Sequence, residues 1–145
     1  STIGKEIARL LNMEFLDTDD LIREKTGKEI PRIFAEEGER YFRDVESDVI
    51  RKISPLQGKV IATGGGAILR EENISYLKGN GDILFLDAPL ETLRSTKDRP
   101  LSSNDADLKK RYEERYHIYT SAADLVIEVS RDLSENTEKI LKVLQ

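Results

Sequence analysis

Val60-Ile61-Ala62-Thr63-Gly64-Gly65-Gly66 is the stretch on which the fold turns. Three apolar residues, two of them β-branched, run directly into a threonine and three glycines. A short apolar run bounded by glycine predicts a strand covered on both faces. Three consecutive glycines carry a large entropic cost on folding. At a strand end they serve as a plain hinge, or as backbone that a ligand approaches closely with N–H groups as donors. Their position directly after a buried strand favours the second use.

The same grammar recurs on either side. Ser1-Thr2 opens a helix whose apolar face is Ile3, Ile7, Leu10 and Leu11. Glu14-Phe15-Leu16 reads as a strand ending in Asp17-Thr18-Asp19, followed by a helix from Asp19 to Lys25 that stops at Gly27. Ile30 to Glu37 forms a short helix closed by Gly38. A longer helix carries Phe42, Val45, Val49, Ile50 and Ile53 at helical spacing and ends at Pro55 and Gly58. After the glycines, Glu71 to Leu77 is helical. Ile83-Leu84-Phe85-Leu86 is apolar throughout and ends in Asp87, and Pro89 suits the first turn of a following helix. Asp105 to Ala122 is a charged helix, Leu125-Val126-Ile127 a last strand, and Ser134 to Leu144 a final helix with Ser134 as its cap. Helices alternating with four short strands predict an α/β chain, a parallel sheet with helices on both faces. Such sheets bind ligands beyond the carboxyl ends of the strands.

Composition narrows the function. A chain of 145 residues is one domain by size. A net charge of −5 argues against a nucleic-acid surface. There is no Cys for a disulfide or thiolate site, and a single His leaves little for a transition-metal centre. No apolar run approaches membrane-spanning length and no signal-peptide pattern is read.

Four groups of residues could carry chemistry. Asp17 and Asp19, two apart at a strand end, can hold a hydrated Mg²⁺ and accept a proton from a substrate hydroxyl; equally, one can cap the following helix while the other is solvated. Arg43 and Glu46, three apart on a helix, can pair. Beside Phe34 and Phe42 such an Arg could grip a small carboxylate bidentately, or it could be an ordinary surface ion pair next to core phenylalanines. Arg99, at the root of a Ser-, Asn- and Asp-containing loop, could reach transferring phosphates or be a plain loop residue. Arg115 lies late in the charged helix with Tyr116, His117 and Tyr119. His117 receives no role.

In order and spacing these pieces resemble the shikimate kinase family, P-loop kinases of the nucleoside-monophosphate kinase group, over essentially the whole chain. The resemblance rests on Ser1-Thr2-Ile3-Gly4, on Phe15-Leu16-Asp17-Thr18-Asp19 with Ile22, and on Arg23-Glu24-Lys25-Thr26-Gly27. It continues through Ile33-Phe34, Gly38-Glu39, Phe42-Arg43 with Glu46, Gly64-Gly65-Gly66-Ala67, Arg99-Pro100-Leu101, and Arg115 before Ile118-Tyr119. The fold it implies is a three-layer α-β-α sandwich with a parallel sheet of order 2-3-1-4-5. The central first strand and the glycines and Lys of the P-loop belong before Ser1 and are not in this sequence. The resemblance implies a lid at about 100–112 and a substrate-binding helical region at about 18–46.

The activity implied is transfer of the γ-phosphate of ATP to the 3-hydroxyl of shikimate, with Mg²⁺, in the cytoplasm. The expected partners are these two small molecules, with no nucleic acid and no membrane, and a monomer is expected. Carried over residue by residue, Ser1 would ligate Mg²⁺ and Asp17 would hold it through water. Thr2, Arg94 and Arg99 would meet the nucleotide phosphates, and Arg99 would serve in the lid. Asp19 would bind the shikimate hydroxyls and orient or deprotonate the nucleophile. Arg43 and Arg115 would clamp the carboxylate, Gly65 and Gly66 would lend backbone donors, and Phe34, Phe42 and Glu46 would shape the pocket. The chain departs from the family at His117, often Pro, at Ser102, usually Leu, and in a short lid from Leu101 to Lys109. The stretch from Arg94 to Arg99 is also shorter than usual. Within the same class the alternative is another small-molecule P-loop kinase such as a gluconate kinase. Outside it, a chain that truly begins at Ser1 would be a non-catalytic acceptor-binding module. The two carboxylate-binding arginines favour shikimate.

Overall fold

The computed structural model describes residues 2–87 and 105–144, the side chains at 105–108 and 111 excepted. Its elements are α1 (Thr2–Leu10), β1 (Glu14–Asp17), α2 (Thr18–Thr26), α3 (Ile30–Glu37), α4 (Glu39–Ile53), β2 (Lys59–Ala62), a 3₁₀ turn (Ala67–Leu69) and α5 (Glu71–Lys78). Then come β3 (Leu84–Asp87), α6 (Asp105–Ala122), β4 (Leu125–Glu128) and α7 (Leu133–Leu144). The chain forms two compact units, residues 1–81 and 82–145.

All four expected strands are present, and they form two parallel pairs. β1 lies beside β2 with Glu14 opposite Lys59 and Asp17 opposite Ala62. β3 lies beside β4 with Leu84 opposite Leu125 and Asp87 opposite Glu128. These pairings are the 2-3 and 4-5 neighbours of the order implied by the sequence.

The first unit is built around α4. Its apolar residues recur every three or four positions, which places Phe42, Val49 and Ile53 on one face. That face packs on Ile22 of α2 and Ile33 of α3, with Leu16 and Ile61 of the two strands against the same cluster. Each such side chain contributes roughly 1.5–3 kcal/mol when taken out of water. α3 and α4 are joined by Gly38 alone. Its backbone, at φ 89 and ψ 168, occupies a region that side-chain-bearing residues avoid. The corner folds α4 back on α3, so that Phe34 and Phe42 meet with ring centroids 4.7 Å apart. Phe42 joins the core, whereas Phe34 stays 37% exposed.

In the second unit Phe85 of β3 packs on Tyr119 and Tyr116 of α6, at 4.7 and 6.0 Å between centroids. Tyr112, one turn earlier, donates its hydroxyl to Asp87 Oδ1 at 2.8 Å. Burial and that carboxylate push the phenol up to about 12.

Two local expectations are corrected. The cap of α7 is Asp132, not Ser134: Asp132 Oδ1 accepts from the Glu135 amide at 3.2 Å. The helix starts one residue earlier because Asn136 reaches back to Ser130, accepting from its amide at 2.8 Å and donating to its carbonyl at 2.7 Å. In α1 the buried residues are Ile7 and Ala8, while Leu10 and Leu11 are exposed. The helix stops at Leu10 and Asn12 takes a left-handed conformation (φ 56), which turns the chain into β1 before Leu11 can join the apolar face.

Candidate active site

The register of β1 and β2 brings two of the suggestive strand ends together. Because Asp17 lies opposite Ala62, the Asp17-Thr18-Asp19 turn emerges beside the start of Thr63-Gly64-Gly65-Gly66. Asp17 is the cap of α2: its Oδ1 accepts from the Asp19 amide at 2.8 Å. This fixes Asp19 in the first turn of α2. A Cβ placed on Gly64 would stand 3.5 Å from Asp19 Oδ1 and 3.6 Å from Glu46 Oε2, so the two carboxylates flank this glycine.

Glu46 comes from the second turn of α4 and is fully buried. Its Oε1 accepts from Arg43 Nη1 at 2.9 Å. Its Oε2 is buried with no hydrogen-bond partner, an acceptor left facing the Gly64 side. Arg43 is held from the other side by Glu39, whose Oε1 lies 3.6 Å from Nε. The guanidinium carbon lies 5.1 Å from the centroid of the Phe42 ring, and the guanidinium presses on Gly66. The buried Arg–Glu pair costs desolvation that the ion pair alone does not fully offset, which favours a further polar partner at this spot.

Electrostatics separate the two acids from ordinary surface carboxylates. Partial burial, reinforced by Asp17, raises the proton affinity of Asp19; Arg23 and Arg43 act against this. Burial raises that of Glu46 despite its bond to Arg43. A carboxylate with raised proton affinity, near a strand end and beside an arginine, suits proton acceptance from a hydroxyl.

None of Gly64, Gly65 and Gly66 has a positive φ, so the backbone conformation of the turn does not itself demand glycine. What they provide is space. Gly66 makes room for Arg43, and Gly64 sits between the two acids. Gly65 is exposed at the crest of the turn.

The first unit brings Asp17, Asp19, Arg43 and Glu46 to the glycine turn, with Phe34 and Phe42 beside Arg43. Arg115 lies on α6 in the second unit, half-buried, and His117 is exposed there. Thr2 is the exposed first residue of α1. Ser1, Arg94, Arg99 and the start of the expected lid lie outside the described residues. Sequence reasoning missed two supports of the turn. Arg70 reaches α4, with Nη2 2.8 Å from Asp44 Oδ1 and Nη1 donating to Ser47 Oγ at 3.3 Å. Asn73 of α5 is fully buried and donates Nδ2 to the Ala67 carbonyl at 2.8 Å. The available signal was an asparagine, a poor helix former, inside a short helix beside Ile74 and Leu77.

Comparison with known proteins agrees with this picture. A family model described as shikimate kinase matches residues 1–145. A shikimate kinase of Clostridium botulinum (strain Eklund 17B / Type B) is 40% identical over 148 residues, spanning 99% of this chain and 89% of the relative. The solved structure of shikimate kinase from Acinetobacter baumannii in complex with shikimate superposes with a TM-score of 0.89 at 36% identity, covering 99% of this chain and 84% of that one. The crystal structure of shikimate kinase from Aquifex aeolicus gives a TM-score of 0.86 at 35% identity, over 99% and 88%.

Proposed function

The chain belongs to the shikimate kinase family, and on that premise we propose that it transfers the γ-phosphate of ATP to the 3-hydroxyl of shikimate, giving shikimate 3-phosphate and ADP. The observation that carries the reading is the meeting of Asp19, Arg43 and Glu46 around Gly64 and Gly66. An acid with vicinal hydroxyls needs a cationic fork for its carboxylate and anionic acceptors for its hydroxyls, and this cluster offers both.

Arg43 grips the carboxylate from α4. Phe34 and Phe42 wall the ring, and Gly65 and Gly66 lend amide donors. Glu46 orients Arg43 and offers Oε2 to a substrate hydroxyl. Asp19 accepts the hydrogen bond, and then the proton, of the 3-hydroxyl, a role its raised proton affinity favours. Phosphoryl transfer asks for alignment and charge neutralisation more than covalent chemistry. Thr2, Arg94 and Arg99 serve the nucleotide phosphates.

Mg²⁺ fits the donor chemistry. It is ordinarily held by one or two carboxylates, with water and phosphate oxygens completing its shell, and the hard oxygens of Asp17 stand at the strand end beside Asp19. Asp17 would hold it through water and Ser1 directly; when bound, it neutralises charge on the phosphates. The protein works in the cytoplasm as a monomer.

A coupled assay of ADP release on the full-length protein, run with shikimate and with gluconate, tests the reading. Shikimate-dependent turnover with shikimate 3-phosphate as product is expected. Turnover with gluconate but not shikimate would overturn it.

A further inference from the structure

We propose that Asn73 is a positioning residue for the acceptor site, holding the glycine turn in the one conformation that seats Arg43. The inference rests on the acceptor reading above and extends it to a residue that stands behind the pocket.

Asn73 is fully buried on α5, yet only half of its amide is used. Nδ2 donates to the Ala67 carbonyl at 2.8 Å, while Oδ1 is buried without a hydrogen-bond partner. A buried amide with an unpaired oxygen is disfavoured against an apolar side chain of similar size. The half of the amide that the fold uses is the donor. What it holds is informative. Ala67, itself fully buried, closes the turn by donating its amide to the Gly64 carbonyl at 3.1 Å. The next bond, from the Leu69 amide to the Gly66 carbonyl at 3.1 Å, continues it. Gly64 separates Asp19 from Glu46, and Gly66 presses on the Arg43 guanidinium. Three glycines give this turn many alternative conformations. Asn73 clamps its downstream end from inside, while Arg70 ties the following residues to Asp44 and Ser47 of α4. If the clamp is released, the turn samples other conformations, the seat of Arg43 is lost for part of the time, and the acceptor is bound less well.

The test compares the full-length wild type with Asn73→Ala, Asn73→Asp and, as a control for general destabilisation, Ile140→Ala on α7, a buried position in the other unit. Asn73→Ala should weaken shikimate binding by about 10-fold, from the loss of one pre-organising hydrogen bond, leave ATP affinity unchanged, and speed hydrogen exchange at the Ala67 and Leu69 amides. Ile140→Ala should lower thermal stability without moving shikimate affinity. Asn73→Asp supplies a chemical signature and keeps the shape should the alanine variant fold poorly. At neutral pH its carboxylate faces the Ala67 carbonyl and repels it. As pH falls the acid protonates and its O–H can donate to that carbonyl, so the ratio of variant to wild-type shikimate affinity, taken at each pH, should climb towards one. Shikimate affinity within two-fold of wild type in both Asn73 variants, or a ratio independent of pH, overturns the inference. Failure of wild type itself to take up shikimate would overturn the acceptor reading instead, a result distinguishable because it appears before any substitution is made.

Discussion

Gly66 lies so close to Arg43 that a Cβ at position 66 would stand 2.5 Å from the guanidinium carbon. This contact couples the glycine turn to the ion pair of α4, and it explains why a residue with no side chain follows β2 at a point where φ is not positive.

Gly66→Ala should therefore fold, since the group displaced is the end of a flexible side chain, but it should unseat Arg43 from Glu46. A charge-assisted pairing is worth about 1.5–3 kcal/mol, which corresponds to roughly 10- to 100-fold in affinity for shikimate. Thermal melts close to those of wild type, together with weaker shikimate binding by calorimetry, are expected. Normal binding would show that the guanidinium has another productive seat.

Asp19→Asn removes the proton acceptor and keeps the shape. Turnover should drop by roughly 10²-fold or more, in line with the contribution of a positioned general base, while ATP affinity stays near normal. Steady-state kinetics with both substrates decides; near-normal turnover takes Asp19 out of the mechanism.

Glu46 gives a pH-dependent prediction. Burial raises its proton affinity in the folded protein, and Arg43 only partly offsets this. Between the ordinary glutamate value and the raised folded one, the native state binds more protons than the unfolded chain. The group's contribution to stability is then lost as pH rises through that window. Glu46→Gln has no such titration. The stability of wild type relative to Glu46→Gln should fall as pH is raised from about 4, the ordinary glutamate range, towards neutrality. Denaturant melts at each pH measure it, and a difference that grows in favour of wild type would contradict the burial argument.

The strands and their ends were legible in the sequence because short apolar runs bounded by glycine or acid have few other readings. The Arg43–Glu46 pair was legible from its spacing of three on a helix. Its depth was not: Glu46 is fully buried with Oε2 on the Gly64 side, a tertiary contact that helical spacing does not encode. One use of the glycines was not legible: besides leaving backbone open to a ligand, Gly66 makes room for an arginine of the chain itself. Asn73 escaped notice because its partner is a backbone carbonyl six residues away. Ser134 was preferred as a cap over Asp132 because both types cap well and helix starts are uncertain by a residue or two.

The central claim is that the cluster around Gly64 and Gly66 takes the carboxylate of shikimate through Arg43. Titration of shikimate into full-length wild type and Arg43→Lys, with an ATP titration alongside, tests it most directly. Lysine keeps the charge and loses the fork, so the account predicts shikimate binding weakened by roughly 10-fold or more, from the loss of a bidentate charge-assisted pair, with ATP affinity unchanged. Shikimate affinity equal to wild type in Arg43→Lys would contradict it.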